Sequence, residues 1–392
     1  MKKFLKYALI TLAALIVILV ILAAGVYLFV DPNDYKDNIA QYVEKQTGRE
    51  VNIKGELSLS LFPWLGVEIG QCSLSNPSGF EEKNFAKIDS AAVQVRLWPL
   101  LKKEVEVGTI SLKGFDLNLL RTEQGRNNWQ DLLPQKEQKD QKQPEPSKAE
   151  KPQPGLGALA IGRLEIENAQ LSWLDRMNKK SLQIKDVNLG LGPVRSAKPF
   201  DLNLSFDVSS NKPALQSEVS LKAEALIDLN EKRYELRDLR IESQVQGEDV
   251  PGEKARIEFQ TDALVEMQKE RFSLQDLVLS AYELRLKGKI EGADITKVPQ
   301  ISGQISLDSF NPQELLTRLG MEKIKTADQS VLKKAKADCS FSASTNNFNL
   351  QGLEVVLDET NIQGKARVSE FEKPDVNFDL QIDSMDVDRY LP

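Results

Sequence analysis

The sequence predicts a mainly β protein: an elongated, repetitive antiparallel sheet behind one N-terminal transmembrane helix, with few short covering helices. Three observations predict it. Ala8 to Val30 is a run of 23 uncharged residues, interrupted only by Thr11, Gly25, Tyr27 and Phe29 in a stretch of Ala, Leu, Ile and Val. Beyond residue 50 the apolar residues recur with period two, the signature of half-buried strands. Only two or three later segments carry a helical period, too few to clothe the strands that accompany them.

The first run is long enough to cross about 30 Å of hydrocarbon. Lys2, Lys3 and Lys6 precede it and Asp31 and Asp34 follow, so the positive-inside rule places the N-terminus in the cytoplasm and everything after Asp31 outside. A cleaved signal peptide is the competing reading, with Leu22-Ala23-Ala24-Gly25 as its small-residue patch. Signal h-regions are about 7–15 residues, shorter than this run, which favours an uncleaved anchor. Val26 stands where a lipoprotein would need its lipidated cysteine.

Asp31 as cap, Pro32 at the first helical position and Gly48 as stop predict a short helix just after the anchor. Tyr35, Ile39, Tyr42 and Val43 share one of its faces, expected to cover the start of a sheet rather than lie on lipid. The alternation then begins: Leu57 and Leu59, Val67 and Ile69, Val93 and Val95, Leu117 and Leu119. Asn76-Pro77-Ser78-Gly79 and Lys113-Gly114 read as the turns between strands.

From Gln135 to Pro154 the chain is a Lys/Gln/Glu/Pro mixture whose one aliphatic residue is Ala149. Such a stretch buries nothing and reads as a tether. The expected organisation is therefore 1–30 cytoplasmic tip and anchor, 31–133 a β region with its leading helix, 134–157 a flexible linker, and 158–392 a second repetitive β region. In that last region Phe200, Leu202, Leu204 and Phe206 show the alternation most plainly. The words Leu236-Arg237-Asp238-Leu239, Leu274-Gln275-Asp276-Leu277 and Leu350-Gln351-Gly352-Leu353 recur at offsets of 38 and 76 residues, as a hairpin repeat would. Asn311 to Gly320 is the one helical interruption, with Leu315, Leu316 and Leu319 on one side.

Composition narrows the function. Histidine is absent, which removes imidazole acid–base catalysis, His-paired nucleophiles and imidazole metal sites. Lys and Arg number 51 against 58 Asp and Glu, interspersed rather than blocked, which argues against a nucleic-acid partner. Cys72 and Cys339 lack any CxxC spacing and read as two separate buried small hydrophobes, with pairing in an oxidising compartment as the alternative. The expectation is a protein that is not an enzyme, with no catalytic residue, cofactor or metal. A hydrolase using paired carboxylates is weighed and finds no spacing that singles out a pair.

Each strand has one apolar and one polar face. Roughly 15 to 20 strands at about 4.8 Å spacing make a sheet about 70–95 Å long. Its apolar side must be met by a second sheet, the commoner solution and the one periodicity alone favours, or must curl into a groove with an apolar occupant. On a membrane-tethered protein that occupant would be a lipid acyl chain. The sequence names no lipid-contact residue.

Several segments together resemble the AsmA family of bacterial envelope proteins over essentially the whole length. They are Asp31-Pro32-Asn33-Asp34-Tyr35, Thr47-Gly48-Arg49, Leu61-Phe62-Pro63-Trp64-Leu65-Gly66, Asn76-Pro77-Ser78-Gly79-Phe80, Gly125-Arg126-Asn127-Asn128-Trp129 and Phe310-Asn311-Pro312-Gln313-Glu314-Leu315-Leu316. Taken one by one each reads as turn or cap chemistry, with Trp64 and Trp129 as core anchors. The resemblance implies an inner-membrane anchor, a periplasmic ectodomain, and a role in outer-membrane biogenesis in which a hydrophobic β-groove carries phospholipid. Assembly of outer-membrane proteins through protein contacts, with envelope proteins as partners, is the alternative. Family members continue past the segment Asp386-Val387-Asp388-Arg389-Tyr390-Leu391-Pro392, so a short or truncated form is expected.

Overall fold

A computed structural model describes residues 31–60, 64–97, 99, 106–132 and 161–392. The expected anchor (1–30) and linker (134–157) lie outside the described residues. No helix among the described residues is long and apolar enough to cross a membrane. The fold is mainly β, with few helices, and divides into two compact units.

The first unit opens with a 3-10 turn, Pro32–Tyr35, whose N-cap Asp31 accepts from the Asn33 N–H. It continues into α1 (Lys36–Thr47), ended by Gly48 in the left-handed conformation at φ 69°. The expected inward face is corrected here. Tyr35, Ile39 and Tyr42 are 54%, 39% and 65% exposed, while Ala40, Val43 and Thr47 are half-buried toward β1. Asn33 fixes this roll by bonding both backbone groups of Leu57.

Nine strands follow: β1 (Val51–Ile53), β2 (Leu57–Ser60), β3 (Trp64–Ile69), β4 (Cys72–Ser75), β5 (Asn84–Ile88), β6 (Ser90–Arg96), β7 (Val107–Lys113), β8 (Asp116–Arg121) and β9 (Ile161–Asp175). They form five long strands, because β1/β2, β3/β4, β5/β6 and β7/β8 are pairs interrupted once. β1, β4, β5 and β8 make one arm and β2, β3, β6 and β7 the other, all antiparallel. β9 runs parallel to both β7 and β8 and closes the two arms on one side.

The interruptions fall in one line across the strands. Gly55 N–H donates to Gln71 O, Asp89 N–H to Lys113 O, and Gly114 N–H to Glu167 O, each at 2.9 Å. Gly114 (φ 60°) and Asn168 (φ 53°) both take left-handed backbone there. Lys113-Gly114 is thus a kink within a long strand, not the turn that its composition suggested. Residues 161–179 fall in the first unit, and among the described residues the second begins at Lys180.

The second unit is a single meander in which each strand pairs antiparallel with its sequence neighbours. Its strands are β10 (Lys180–Leu191), β11 (Pro199–Asn211), β12 (Ala214–Asp228), β13 (Arg233–Gly247), β14 (Lys254–Glu266), β15 (Arg271–Ala281), β16 (Leu284–Ala293), β17 (Gln300–Phe310), β18 (Ala335–Ala343), β19 (Asn347–Leu357), β20 (Thr360–Ser369) and β21 (Asp375–Ile382). The sheet is open, since β10 and β21 do not pair. Among the described residues of this unit every strand belongs to the one meander and no separate second sheet is present, so the unit does not form the two-sheet sandwich favoured by periodicity alone. The expected helix forms as α2 (Pro312–Arg318): Asn311 Oδ1 accepts from Gln313 and Glu314 N–H, and Gly320 follows at φ 72°. Its Leu315 and Leu316 are half-buried, and Arg318 pairs with Glu283 at 2.7 Å.

Candidate functional site

Strict alternation in long strands puts every other side chain on one side of the second sheet, and the register aligns these positions across strands. Leu204 faces Leu221, which faces Ile241, then Phe259, Leu279 and Leu286. The line continues through Leu307, Ala337, Val355, Ile362 and Ile382. An aliphatic or aromatic rail therefore crosses the sheet from β11 to β21 almost without interruption.

Beside the rail runs a row built by the three repeated words. Asp238, Asp276 and Gly352 adopt left-handed backbone at φ 47°, 49° and 56°, and each sits at a register shift in β13, β15 or β19. A β-bulge inserts one residue, so leucines three apart emerge on the same side instead of opposite sides. Leu236 with Leu239, Leu274 with Leu277, and Leu350 with Leu353 all join the apolar face. The three bulges share one transverse row. Leu239 pairs with Thr261, which stands opposite the bulge at Asp276; Leu277 pairs with Gly288, then Ile305 and Cys339. Cys339 stands opposite the bulge at Gly352, and Leu353 continues to Gly364 and Leu380.

The leucine pairs thus stand over small neighbours: Ala223 and Ala225 on β12, Thr261 and Ala263 on β14, Gly364 and Ala366 on β20. That interlocking is what buries Leu239 and Leu277 to 7% exposure and Ala225 to 4%. Most other large side chains of this face stay half-buried. Within the strands, in-plane neighbours cover their flanks, and no second strand layer among the described residues is hydrogen-bonded over them. On β21, flanked on one side only, Val376, Phe378, Leu380 and Ile382 are 48–70% exposed.

The opposite face is polar and carries the ion pairs. Arg237 spans Glu224 and the nearly buried Glu235, and Arg256 joins Glu242 to Glu258. Two hollows of about 460 and 470 Å³ lie on this side, one among Lys185, Asp207, Glu218, Lys254 and Arg256. The other is lined by Leu264, Phe272 and Ile301 beside Glu266, Arg271 and Glu291. Among the described residues no three His, Cys, Asp or Glu side chains converge to hold a metal ion. Cys72 and Cys339 are free, half-buried thiols rather than fully buried ones, both pushed up in pKa by burial.

The short motifs hold the scaffold together. Arg49, with a fully buried side chain, donates to Asn128 O at 2.6 Å, pairs with Asp131, and lies 4.3 Å over the Phe85 ring. Asn128, 0% exposed, accepts from Leu120 N–H and donates to Asn76 Oδ1 and Asn118 O. Arg126 stacks on Phe80 at 5.7 Å. Thr47-Gly48-Arg49, Asn76 to Phe80 and Gly125 to Trp129 thus meet in one knot. Its buried anchor is Asn128, whereas Trp129 is half-buried. Trp64 is also half-buried, 5.1 Å from the Arg96 guanidinium. At the far end, Arg389 bonds Asp328 and Glu359, and the Tyr390 hydroxyl donates to Asp358.

The AsmA family model matches residues 1–392 of the chain. Over 111 residues the chain is 30% identical to Protein AsmA of Escherichia coli (strain K12), a match covering 28% of this chain and 18% of that protein. No solved structure matches.

Proposed function

The chain belongs to the AsmA family, a membership that suggests a role in the cell envelope, and from that premise we propose that its apolar β-face binds phospholipid acyl chains and assists lipid transfer for outer-membrane biogenesis. The observation that supports this reading is the rail from Leu204 to Ile382, apolar on strand after strand and ending in the exposed Val376, Phe378, Leu380 and Ile382 of β21. Soluble proteins rarely leave so much contiguous apolar surface without an occupant. An acyl chain suits it because burial of each CH₂ is worth about 0.8 kcal/mol and needs no directional contact. The residues 8–30 would hold the protein in the inner membrane, N-terminus inside, with both β units in the periplasm. No catalytic group enters this account; the work is binding and release.

The test pairs two neighbours on β11. Leu204→Glu puts a charge on the apolar face and is expected to abolish co-purification of phospholipid. Asn203→Glu, on the polar face, is expected to leave it intact. Equal retention by both variants, measured by native mass spectrometry with lipid extraction, would sink the reading.

The assembly-factor alternative draws support from β21, which pairs on one side only and carries none of the lysines or prolines that blunt an edge within Asp375–Ile382. Photocrosslinking from Asn377 in cells would yield discrete outer-membrane protein adducts under that alternative, and none under lipid carriage.

A further inference from the structure

We propose that Tyr35, Ile39 and Tyr42 form a stripe that seats α1 on the surface of the membrane from which the chain emerges. The three lie at positions i, i+4 and i+7, one line along the helix, and all three are exposed. The fold does not need them there: Ala40, Val43 and Thr47 make the side turned toward β1. Nor is the helix free to roll. Asn33 binds the Leu57 backbone at its start, and Arg49, just past its end, is locked to Asn128 and Asp131.

The partner follows from chain length and side-chain chemistry. The inference rests on reading Ala8–Val30 as a span. Only Asp31 to Tyr35 separate Val30 from α1, and Pro32–Tyr35 are wound as a 3-10 turn. At about 2 Å rise per residue that link advances about 10 Å, so α1 begins within the headgroup layer or at its edge. Tyrosine is the side chain suited to that depth, its ring in the acyl boundary and its hydroxyl in water. The other side of the helix carries Asp37 and Glu44, which remain hydrated. Because α1 is tied to β1 and β2, seating the stripe also fixes the start of the first sheet against the bilayer.

The experiment uses the full chain in phospholipid vesicles, in a Cys72→Ala/Cys339→Ala background. A single Tyr42→Cys or Glu44→Cys is labelled with an environment-sensitive fluorophore, and quenching is read with phospholipid bearing a headgroup nitroxide. Position 42 is expected to be quenched several-fold more than position 44, which lies on the opposite side of the helix. Equal quenching at both positions, with the chain still resistant to carbonate extraction, would overturn the stripe while leaving the span intact. Release by carbonate with neither position quenched would instead remove the span, and the stripe with it.

Discussion

Arg49 and Asp131 form a two-point ion pair across 82 residues of sequence, Nε to Oδ2 at 2.9 Å and Nη2 to Oδ1 at 2.6 Å. The partners are unequal: the Arg49 side chain is fully buried and that of Asp131 is 38% exposed. Removing the carboxylate therefore leaves a buried cation, whereas removing the cation leaves an anion that water can reach. Asp131→Ala is expected to cost about 3–5 kcal/mol in the first unit, the range for stranding a buried charge, and Arg49→Met distinctly less. Hydrogen exchange across β4, β5 and β8 would show the ranking. Its reversal would mean the knot is held by packing on Phe85 alone.

The bulge residues set a second expectation. Left-handed backbone costs a residue with a branched Cβ about 1–2 kcal/mol, while Gly takes it freely and Asp tolerates it. The chain itself uses Asp at 238 and 276 and Gly at 352. Asp276→Gly should be close to neutral and Asp276→Val should loosen β15 by that amount. Protection of the β14 and β15 amides in hydrogen exchange is the readout. Equal effects of Gly and Val would deny the bulge its role in presenting Leu274 and Leu277.

Much of this was legible in the alternation, which placed Phe200 to Phe206 and their partners on one face of a sheet. The repeated words were visible as sequence, but their meaning was not. Leu236 and Leu239 lie on opposite faces of any regular strand, and only the left-handed residue between them brings both to one side. The same pattern, aliphatic, any residue, Asp/Asn/Gly, apolar, also occurs at Ile184-Lys185-Asp186-Val187 and Ile166-Glu167-Asn168-Ala169, where Asp186 and Asn168 are left-handed too. Searching for that pattern, rather than for Leu, would have found them. The choice between sandwich and uncovered face was not readable locally, because it depends on whether distant strands stack. The inward face of α1 is not readable locally because Asn33 and Arg49, which set its roll, act through Leu57 and Asn128, far away in sequence.

Gly114 tests whether the line of kinks in the first unit is required. Its φ of 60° disfavours any side chain, and an added Cβ would collide with the Asp89 carboxylate. Gly114→Ala is expected to weaken the β7/β8 junction and raise exchange at the Gly114 and Asp89 amides, which bond Glu167 O and Lys113 O. Asp89→Gly in the same background should recover part of the loss by making room. No recovery would place the whole cost in the backbone angle.

The C-terminal tie should respond to acid. Asp328 is lowered to about 2 from an ordinary value of 3.8, first by the Ser330 N–H, then by the Ser330 hydroxyl and by Arg389. Burial works to raise Asp358, but the N–H groups of Leu332, Lys333 and Lys334 and the Tyr390 hydroxyl outweigh it and hold it below the usual range. A depressed carboxyl binds fewer protons folded than unfolded, so its contribution is complete above the ordinary value and fades as pH falls through the folded one. For Asp328 the window runs from just under pH 4 down to about 2. Protection of the Arg389 and Tyr390 amides should fall across that window, and Asp328→Asn should lower it at neutral pH and flatten the acid slope without abolishing it, since Asp358 still titrates. A wild-type acid slope left unchanged in Asp328→Asn would show that Asp328 does not hold Arg389.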